Sequence, residues 1–504
     1  MLADNYPILV IVIPLIAAVI AFLAGLLKKE LAWYVTALAC LSSFLMAMSM
    51  LLSVLGGETI SYRLGGWEPP WGIEYVVDYL SALVLAIVTF IALAVTLYAK
   101  RSVEHEIVPG KHAPFYALYL LMVAGLLGMT ITGDVFNLFV FIEIASISGY
   151  ALVAMGRSRD ALISSFNYLI LGTVAATFIL IGIGYIYMVT GTLNMADLRI
   201  RLPELYDTRA VRTAFAFLTV GLSLKLALFP LHIWLPGAYT HAPSAVSSLL
   251  AATATKVGAY VLLRFMFTVF TVDFDLEIVP VTRIFIALSS AAIILGSVLA
   301  ISQTNLKRML AYSSVGQIGY IVLGAALVNE LGLTGSIIHI FNHALMKGAL
   351  FMVAGAVVLR TGSEKISDLR GIGRKMPFTM AAFTVGALSM IGVPLTVGFV
   401  SKWYLALGAL EAGMWFLVPV ILVSSLLTAV YFWRIVEAIY FRPYEAAAAR
   451  PGHAFDGAGR PVSEAPFTMV VPMAVLAALC IVFGVAAHLP VSVAGKAASL
   501  LLGS

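Results

Sequence analysis

Ionisable side chains inside apolar segments are the first feature of this sequence that could carry chemistry. Glu143, Lys225, Lys256 and Lys402 each stand within a long apolar run. An ionisable group near the centre of a bilayer costs at least about 2.5–3.5 kcal/mol and usually faces a partner or water. A group of this kind can carry protons if its charge state can change. These positions are therefore candidates for proton transfer at mid-depth in a membrane.

A second group lies in one apolar segment, where His339, His343 and Lys347 follow each other at i, i+4 and i+8. This spacing places the three on one face of a helix, and histidines titrate near neutral pH without help. The two histidines are equally compatible with hydrogen-bonded packing, and Lys347 with snorkelling toward the nearer membrane surface. Their spacing also suits a metal, but no third ligand accompanies it, so no metal site is predicted.

Glu143 and Lys225 are opposite charges that a fold can bring together. Burial disfavours a charged lysine, and a neighbouring carboxylate favours it. Breaking such a pair would release a proton toward Lys256 and the histidines. A static ion pair that locks two helices remains the alternative. Three further residues are secondary candidates: His232 and His241, which can line a mouth of the protein, and Asp134, which is expected to be solvated at a membrane edge.

Composition places these residues in a membrane protein. The chain has 504 residues, of which 62% are apolar and 11% are charged, whereas soluble domains are about 45–50% apolar and about 25% charged. The two cysteines, Cys40 and Cys480, exclude a disulfide scaffold, a Cys-ligated zinc site and an iron–sulfur cluster. We expect no cofactor, because the sequence holds no cluster ligands and no flavin or nucleotide motif. We also expect no nucleic-acid partner, since the net charge of +5 forms no basic cluster.

The apolar runs predict an all-α polytopic fold with about fourteen transmembrane helices, since one span needs roughly 20 apolar residues. The spans are predicted at 7–27, 31–55, 78–99, 113–132, 134–155, 161–190, 211–235, 243–270, 281–302, 309–328, 331–359, 376–411, 415–440 and 467–488. At 1.5 Å per residue, the ionisable groups fall in the middle third of the bilayer.

Lys and Arg placement predicts the orientation. Eighteen of the 30 lie in loops after odd-numbered spans or at the end of span thirteen, and seven lie in the opposite loops and the C-terminal tail. We therefore expect a multi-pass protein of the cell membrane with both termini outside.

Spans seven and twelve are long and contain Pro230 and Pro394, and proline inside a helix removes a hydrogen bond and clashes with the preceding turn. If spans 4–8 and 9–13 are two inverted five-helix repeats, both breaks fall on the fourth helix. Paired broken helices point to an ion or substrate site at the midplane, although membrane helices often carry Pro and Gly. The predicted units are residues 1–112 (three helices), 113–270 and 281–440 (the repeats), and 441–504 (a loop and the last helix).

Several motifs resemble the antiporter-like subunits of the complex I superfamily. They begin at Gly133-Asp-Val-Phe-Asn-Leu-Phe-Val-Phe-Ile-Glu, Leu224-Lys-Leu-Ala-Leu-Phe-Pro-Leu-His-Ile-Trp-Leu-Pro, Tyr239-Thr-His-Ala-Pro-Ser, Asn305-Leu-Lys-Arg-Met-Leu-Ala-Tyr-Ser-Ser, His339-Ile-Phe-Asn-His-Ala-Leu-Met-Lys and Gly398-Phe-Val-Ser-Lys. The superfamily includes Mrp-type cation/proton antiporters, proton-pumping NADH:quinone oxidoreductases and membrane-bound hydrogenases. The pattern is most similar to the D-type subunit of Mrp antiporters.

The resemblance implies fourteen helices with the same inverted repeats, and a role in proton transfer for residues that match the motifs. These residues are Glu143, Lys225, Lys256, His343, Lys347 and Lys402. Asn167 departs from the pattern, because many relatives carry lysine there, which weakens any role for span six.

Together these features predict a subunit of a multi-subunit membrane complex that moves protons in exchange for sodium or another monovalent cation. The main alternative is a proton-pumping subunit of a quinone oxidoreductase or hydrogenase, in which partner subunits would hold any redox site. A self-contained symporter would need a polar pocket at the breaks, and a structural scaffold would not need midplane charges.

Overall fold

Long apolar helices dominate the fold, as expected for segments that can satisfy their backbone only internally. A computed structural model describes residues 3–272, 274, 280–443 and 462–503. Twelve helical segments in the described ranges are long and apolar enough to cross a membrane. They are α1 (Tyr6–Leu27), α2 (Lys29–Leu55), α3 (Tyr79–Glu106), α4 (His112–Ile131), α5 (Val135–Ala154), α6 (Arg159–Thr190), the segment Ser244–Val269, α12 (Val281–Ile301), α13 (Leu306–Ala326), α14 (Glu330–Thr361), α17 (Leu417–Tyr440) and α18 (Phe467–Val485).

Shorter elements complete the described fold. They are β1 (Ile60–Arg63), paired antiparallel with β2 (Glu74–Val77), and the helices α7 (Met195–Arg201), α8 (Arg209–Leu226), α9 (Trp234–His241), α10 (Ser244–Leu249), α11 (Thr255–Arg264), α15 (Pro377–Ile391), α16 (Val397–Glu411) and α19 (His488–Leu502). Within the segment Ser244–Val269, α10 and α11 are each followed by a π-helical turn, Leu250–Ala254 and Phe265–Val269.

The two missing spans are broken helices, as the sequence predicted. Span seven consists of α8 and α9, and span twelve of α15 and α16, which brings the spans to fourteen. Each first half ends before its proline in a left-handed residue, Ala227 (φ 60°) and Gly392 (φ 88°). The next amide in each case reaches back five residues, with Leu228 N–H bonded to Ser223 O at 2.9 Å and Val393 N–H to Leu388 O at 3.1 Å.

Matching helix ends support the inverted repeats. The third helices of the repeats, α6 and α14, both have 32 residues and both end in a left-handed glycine, Gly191 (φ 70°) and Gly362 (φ 67°). After each glycine the chain forms an isolated β-bridge to the N-cap of the second helix of the same repeat, α5 or α13. Consecutive spans cross in alternating directions. Since α6 is span six and α14 is span eleven, these two similar helix ends lie on opposite faces of the protein.

Four helical segments form the most buried part of the described fold, and two of them carry predicted site residues. Over the apolar window of each span, most residues of α3, α13, α14 and the segment Ser244–Val269 are buried, whereas fewer than half are buried in α1, α2, α6, α17 and α18. We call the face with Ala3–Asn5 the N-face and the other the opposite face. Which of them is outside remains a prediction, and residues 444–461 of the predicted C-terminal loop lie outside the described residues.

Two short helices, α7 and α19, were not predicted. The last predicted span ends at residue 488, but α19 continues from there to Leu502. It lies on the N-face, where Lys496 Nζ is 5.2 Å from the centre of the Tyr79 ring and Ser499 donates to Glu330 at 3.1 Å. With 15 residues it is too short to span a bilayer core of about 30 Å, so a search for spans does not detect it.

Candidate functional site

Glu143 and Lys225 lie side by side. Asp134 caps α5 by accepting the amide of Asn137 at 2.7 Å, and Glu143 follows two and a half turns later. Lys225 is in the last turn of α8, next to the break. Its Nζ atom is 4.0 Å from Glu143 Oε1, and it donates to Ser146 at 2.8 Å and to Tyr150 at 3.4 Å. The structure therefore brings the predicted pair together, but at the outer limit of an ion pair.

The surroundings leave this pair loosely coupled. Glu143 Oε1 is buried and has no hydrogen-bond partner among the described residues, while the Glu143 side chain as a whole is 32% exposed on the flank of the chain. A cavity of about 40 Å³ adjoins Lys225 and Ser146 and reaches Ala254 and Gly258 beside the start of α11. A space of about 10–15 Å³ is enough for one water molecule, so water can fit between Lys225 and the next helix.

Lys256 lies just past the first π-helical turn of span eight. Its side chain is buried, and its Nζ donates to Ala251 O and, at 3.2 Å, to Thr255 Oγ1. Single π-helical turns occur frequently at functional sites. Here the turn lies directly before Lys256, whose ammonium reaches back to a carbonyl within that turn.

The column on α14 is fully buried. Lys347 does not snorkel: its Nζ donates to Leu310 O at 2.7 Å and to Ser313 Oγ at 2.5 Å. The rings of His339 and His343 stack with centroids 5.9 Å apart. Neither ring nitrogen of His343 has a hydrogen-bond partner among the described residues.

His339 is clamped between two helices. Its Nδ1 is 2.7 Å from Ser401 Oγ on α16, and its Nε2 is 3.0 Å from Gln317 Oε1 on α13. Because a carbonyl oxygen only accepts, Nε2 donates to Gln317 Oε1, and Nδ1 can then accept from the Ser401 hydroxyl. His339, a secondary candidate in the sequence, is thus the histidine that is bonded at both ring nitrogens.

Lys402 closes the series at the second break. Its Nζ donates to Met390 O at 3.0 Å and Ile391 O at 2.9 Å, the last carbonyls of α15, and to Ser425 Oγ at 3.0 Å. A cation is favourable at this end of a helix. Lys402 directly follows Ser401, so the second break and the α14 column are in contact.

The secondary candidates differ in position. His241 lines a cavity of about 420 Å³ on the opposite face, and His232 lies in the first break with its ring 5.3 Å from that of Phe229. The expectation that Asp134 is solvated was wrong. Asp134 is 8% exposed and caps α5, because the loop after α6 pairs with it at Asn194. Asn167, the departure in span six, is exposed on the surface.

An ion pair borders the cavity of about 420 Å³ that His241 lines. Glu364 Oε1 lies 3.2 Å from Lys307 Nζ, and its other oxygen accepts from Asn305 at 2.7 Å. Burial alone would raise the pKa of the Glu364 carboxyl, but the Lys307 ammonium and the Asn305 amide hold that pKa below its ordinary value.

Sequence reasoning missed the neutral partners of the charged groups. Ser146, Tyr150, Ser401 and Ser425 are ordinary residues in membrane helices, and no spacing distinguishes them. Gln317 carried the one usable signal, because an amide within an apolar span requires a partner.

More than half of the chain matches a known family. The profile of the family described as "NADH:quinone oxidoreductase/Mrp antiporter, TM" matches residues 132–428. The chain belongs to this family. All six principal site residues, from Glu143 to Lys402, lie within the matched range of the NADH:quinone oxidoreductase/Mrp antiporter family, whereas α3 lies outside it.

Relatives from two types of complex are similar to this chain. It is 47% identical to the N-type subunit of the NADH-quinone oxidoreductase of Desulforudis audaxviator over 484 residues, covering 95% of each chain. It is 31% identical to the D-type subunit of the Na(+)/H(+) antiporter of Bacillus subtilis over 453 residues, covering 89% of this chain and 90% of the relative. A chain in the structure of the Mrp complex from Dietzia superposes with a TM-score of 0.88 at 28% identity, covering 100% of this chain and 98% of that one.

Proposed function

We propose that this chain moves protons along its midplane series of side chains, as one subunit of a multi-subunit membrane complex, in exchange for a monovalent cation. Sodium is the cation that we infer, because the similar Bacillus protein belongs to a Na(+)/H(+) antiporter. The series runs from Glu143 and Lys225 through Lys256 to the α14 column and Lys402.

The position of Lys225 is the observation that carries this proposal. A lysine in a firm ion pair would keep its charge, but Lys225 is 4.0 Å from its carboxylate, bonds neutral hydroxyls and adjoins a cavity that fits water. A proton can therefore leave and return while the surrounding groups stay in place. Lys256, Lys347 and Lys402 are likewise held by carbonyl and hydroxyl oxygens, which accept from an ammonium without fixing its charge by a counter-ion.

Exposure of Glu143 supports a partner subunit. A carboxylate at mid-depth is unfavourable against lipid, yet the Glu143 side chain is 32% exposed. We infer that another membrane subunit covers this flank and continues the polar series at the same depth.

The test uses the native complex in sealed membrane vesicles. Glu143→Ala and Lys225→Ala are each expected to abolish sodium-dependent proton movement, followed with a pH-sensitive dye, while the complex still assembles. Glu68→Ala is the control, because Glu68 forms an exposed ion pair with Arg63 on the surface. Normal transport in both Glu143→Ala and Lys225→Ala would refute the role of this chain as proton carrier.

A second candidate is a proton-pumping subunit of a quinone oxidoreductase, favoured by the 47% identity to the Desulforudis protein. The two functions differ in their energy source. Purified complex in liposomes with a sodium gradient and no electron donor should acidify or alkalinise the lumen if it is an antiporter. A pump should move protons only when an electron donor and a quinone are supplied, and partner subunits would then hold the redox site.

A further inference from the structure

Leu395 adopts a backbone conformation that is unusual for its residue type. It lies in the second break, directly after Pro394. The amide of Thr396 bonds to Val393 O at 3.2 Å, and the turn that this bond closes has Leu395 at its third position, with a φ of 71°. Turns of type II require a positive φ at this position and usually take glycine or asparagine there. A leucine is therefore strained at this point of the chain.

The Leu395 side chain does not account for this conformation, because it is 67% exposed. Among the described residues, the first break contains one left-handed residue, Ala227, whereas the second contains Gly392 and Leu395. The additional one is thus specific to span twelve. Strained backbone conformations persist only where the surrounding structure determines them. The contacts that hold this turn must therefore come from other helices, and two such contacts are present.

One contact comes from α18, which lies outside the repeats and outside the range that the family profile matches. Near the end of α18, Gly484 lies against the backbone of the turn. A Cβ at Gly484 would lie 2.5 Å from Thr396 Cα and closer still to Leu395 O. Both neighbours are backbone atoms, so no side-chain rotation could make room. Helix α18 therefore supports the turn from one side, and it does so through a residue without a side chain.

The other contact comes from α14. Asn342 is buried, and its Nδ2 donates to Val397 O at 2.6 Å. Val397 is the first residue of α16 and stands one residue after the hydrogen-bonded turn ends. In the sequence Asn342 lies between His339 and His343. The helix that carries the buried histidines therefore also holds the start of α16.

The start of α16 determines where two residues of the site lie. Ser401 and Lys402 follow Val397 by four and five residues, a little more than one helical turn. Ser401 Oγ is 2.7 Å from His339 Nδ1, and Lys402 Nζ bonds the last two carbonyls of α15 at 3.0 and 2.9 Å. Any shift of the turn would carry α16 with it and change both contacts.

We propose that Asn342 and Gly484 are positioning residues, which clamp the strained turn at Leu395 and so hold Ser401 and Lys402 in place for proton transfer. The inference rests on the proposed function and deepens it, because it gives α18 a part in transport. Neither Asn342 nor Gly484 takes up a proton. Each acts through the backbone at the start of α16.

A rescue experiment in the native complex in vesicles tests the contact of Gly484. Gly484→Ala should slow proton movement per assembled complex about tenfold or more, since a misplacement of about 1 Å can cost about 100-fold in rate. Adding Leu395→Gly should restore most of the rate, because glycine lets the turn yield to the new methyl group. Adding Leu395→Ala should not, since alanine shortens the side chain but keeps the restriction on φ. Gly495→Ala, where a Cβ meets nothing within 4 Å, is the control and should be normal.

A second variant tests the contact from α14. Asn342→Leu removes the hydrogen bond to Val397 O and should slow proton movement by a similar factor. Adding Leu395→Gly should not restore this rate, because a more flexible turn does not replace the lost bond. Ser336→Ala is the matched control and should be normal: Ser336 is buried on α14 and donates to Ile321 O of α13 at 2.7 Å, so the variant loses a similar bond away from the break.

The outcomes separate the clamp from the proposed function. Normal rates in Gly484→Ala and Asn342→Leu, with Lys225→Ala inactive, would overturn the clamp alone. Should Gly484→Ala not assemble, a normal rate in Asn342→Leu would overturn the clamp by itself. Equal recovery by Leu395→Gly and Leu395→Ala would overturn the part that the strained turn plays in it. A normal rate in Lys225→Ala would overturn the proposed function, and the clamp with it.

Discussion

Lys225 is 4.0 Å from the nearest oxygen of Glu143, and its shortest hydrogen bond goes to a neutral hydroxyl at 2.8 Å. At a separation of 4 Å the attraction between two unit charges ranges from about 1 kcal/mol in water to about 4 kcal/mol near a protein surface. The neutral bond to Ser146 competes with this attraction. The geometry thus holds the ammonium near the carboxylate without closing the ion pair.

The first prediction concerns Ser146. Ser146→Ala removes the competing acceptor, so the Lys225 ammonium should move closer to Glu143 and hold its proton more firmly. We expect proton movement in vesicles to slow about three- to tenfold, since a hydrogen bond of about 1 kcal/mol is at stake. Ser148→Ala, a buried serine on the same helix, is the control and should be normal. Unchanged transport in Ser146→Ala would show that Ser146 does not restrain Lys225.

The second prediction concerns the clamp on His339. Gln317→Leu leaves the Nε2 proton of His339 without an acceptor, which should cost about 1–3 kcal/mol in the free energy of unfolding and slow proton movement about tenfold. Gln317→Glu retains an acceptor and should restore most of the rate. Ser314→Ala removes a hydroxyl on the same helix whose hydrogen bond, among the described residues, goes to Leu310 O, and it should change neither quantity. Thermal unfolding of the complex and vesicle transport are the measurements.

The third prediction is a pH dependence of stability. The folded-state pKa of Glu364 lies below its ordinary value of 4.5, so its carboxylate stabilises the fold above that pH, and the contribution is lost as the pH falls through the folded-state pKa. Glu364→Gln removes the carboxylate that is bonded to the buried Lys307 ammonium and leaves Glu106 as the nearby carboxylate. It should lower the free energy of unfolding by about 1.5–3 kcal/mol at pH 7, the contribution of a hydrogen bond to a charged group. The difference from the wild type should shrink below pH 4.5.

Thermal midpoints between pH 4 and pH 7.5 check this. Glu437→Gln serves as the control, because its pair with Arg442 is exposed on both sides and such pairs contribute about 0–1 kcal/mol. A difference between Glu364→Gln and the wild type that is constant over the whole range would contradict the linkage.

The fourth prediction concerns the second break. A Cβ at Gly398 would lie 1.7 Å from the backbone oxygen of Ser389, which no rotamer change can relieve. Gly398→Ala should destabilise the chain by about 3 kcal/mol and separate the two halves of span twelve. Gly184→Ala, where a Cβ meets nothing within 4 Å, should be neutral or slightly stabilising, as helix propensity favours alanine. Equal midpoints for the two variants would contradict the close crossing.

Span number, helix breaks and buried charges could be predicted from the sequence because they depend on local properties. An apolar run of sufficient length is expected to be a helix in lipid, and Pro230 and Pro394 follow closely on the ends of α8 and α15, as expected for a residue that removes a helix hydrogen bond. The same logic identified Glu143, Lys225, Lys256, the α14 column and Lys402, since each is a charge or histidine in an apolar run. Their roles in transport remain proposals.

The partners of these groups could not be predicted, because they come from distant parts of the chain. Lys225 and Ser146 are 79 residues apart, and His339 and Ser401 are 62 apart. Asp134 looked solvated because its burial depends on a bridge to Asn194. The cavity of about 420 Å³ on the opposite face combines the ends of several spans with the end of α3, which no motif had linked to the site.

The open flank at Glu143 has a consequence for biogenesis. A copy inserted into the bilayer before its neighbour arrives presents a carboxylate to acyl chains, and it must draw in water, thin the lipid or take up a proton there. Each of these states costs free energy that assembly removes. We therefore expect solitary copies to be short-lived substrates for membrane proteases, so that the amount of this polypeptide in a cell follows the supply of its companion.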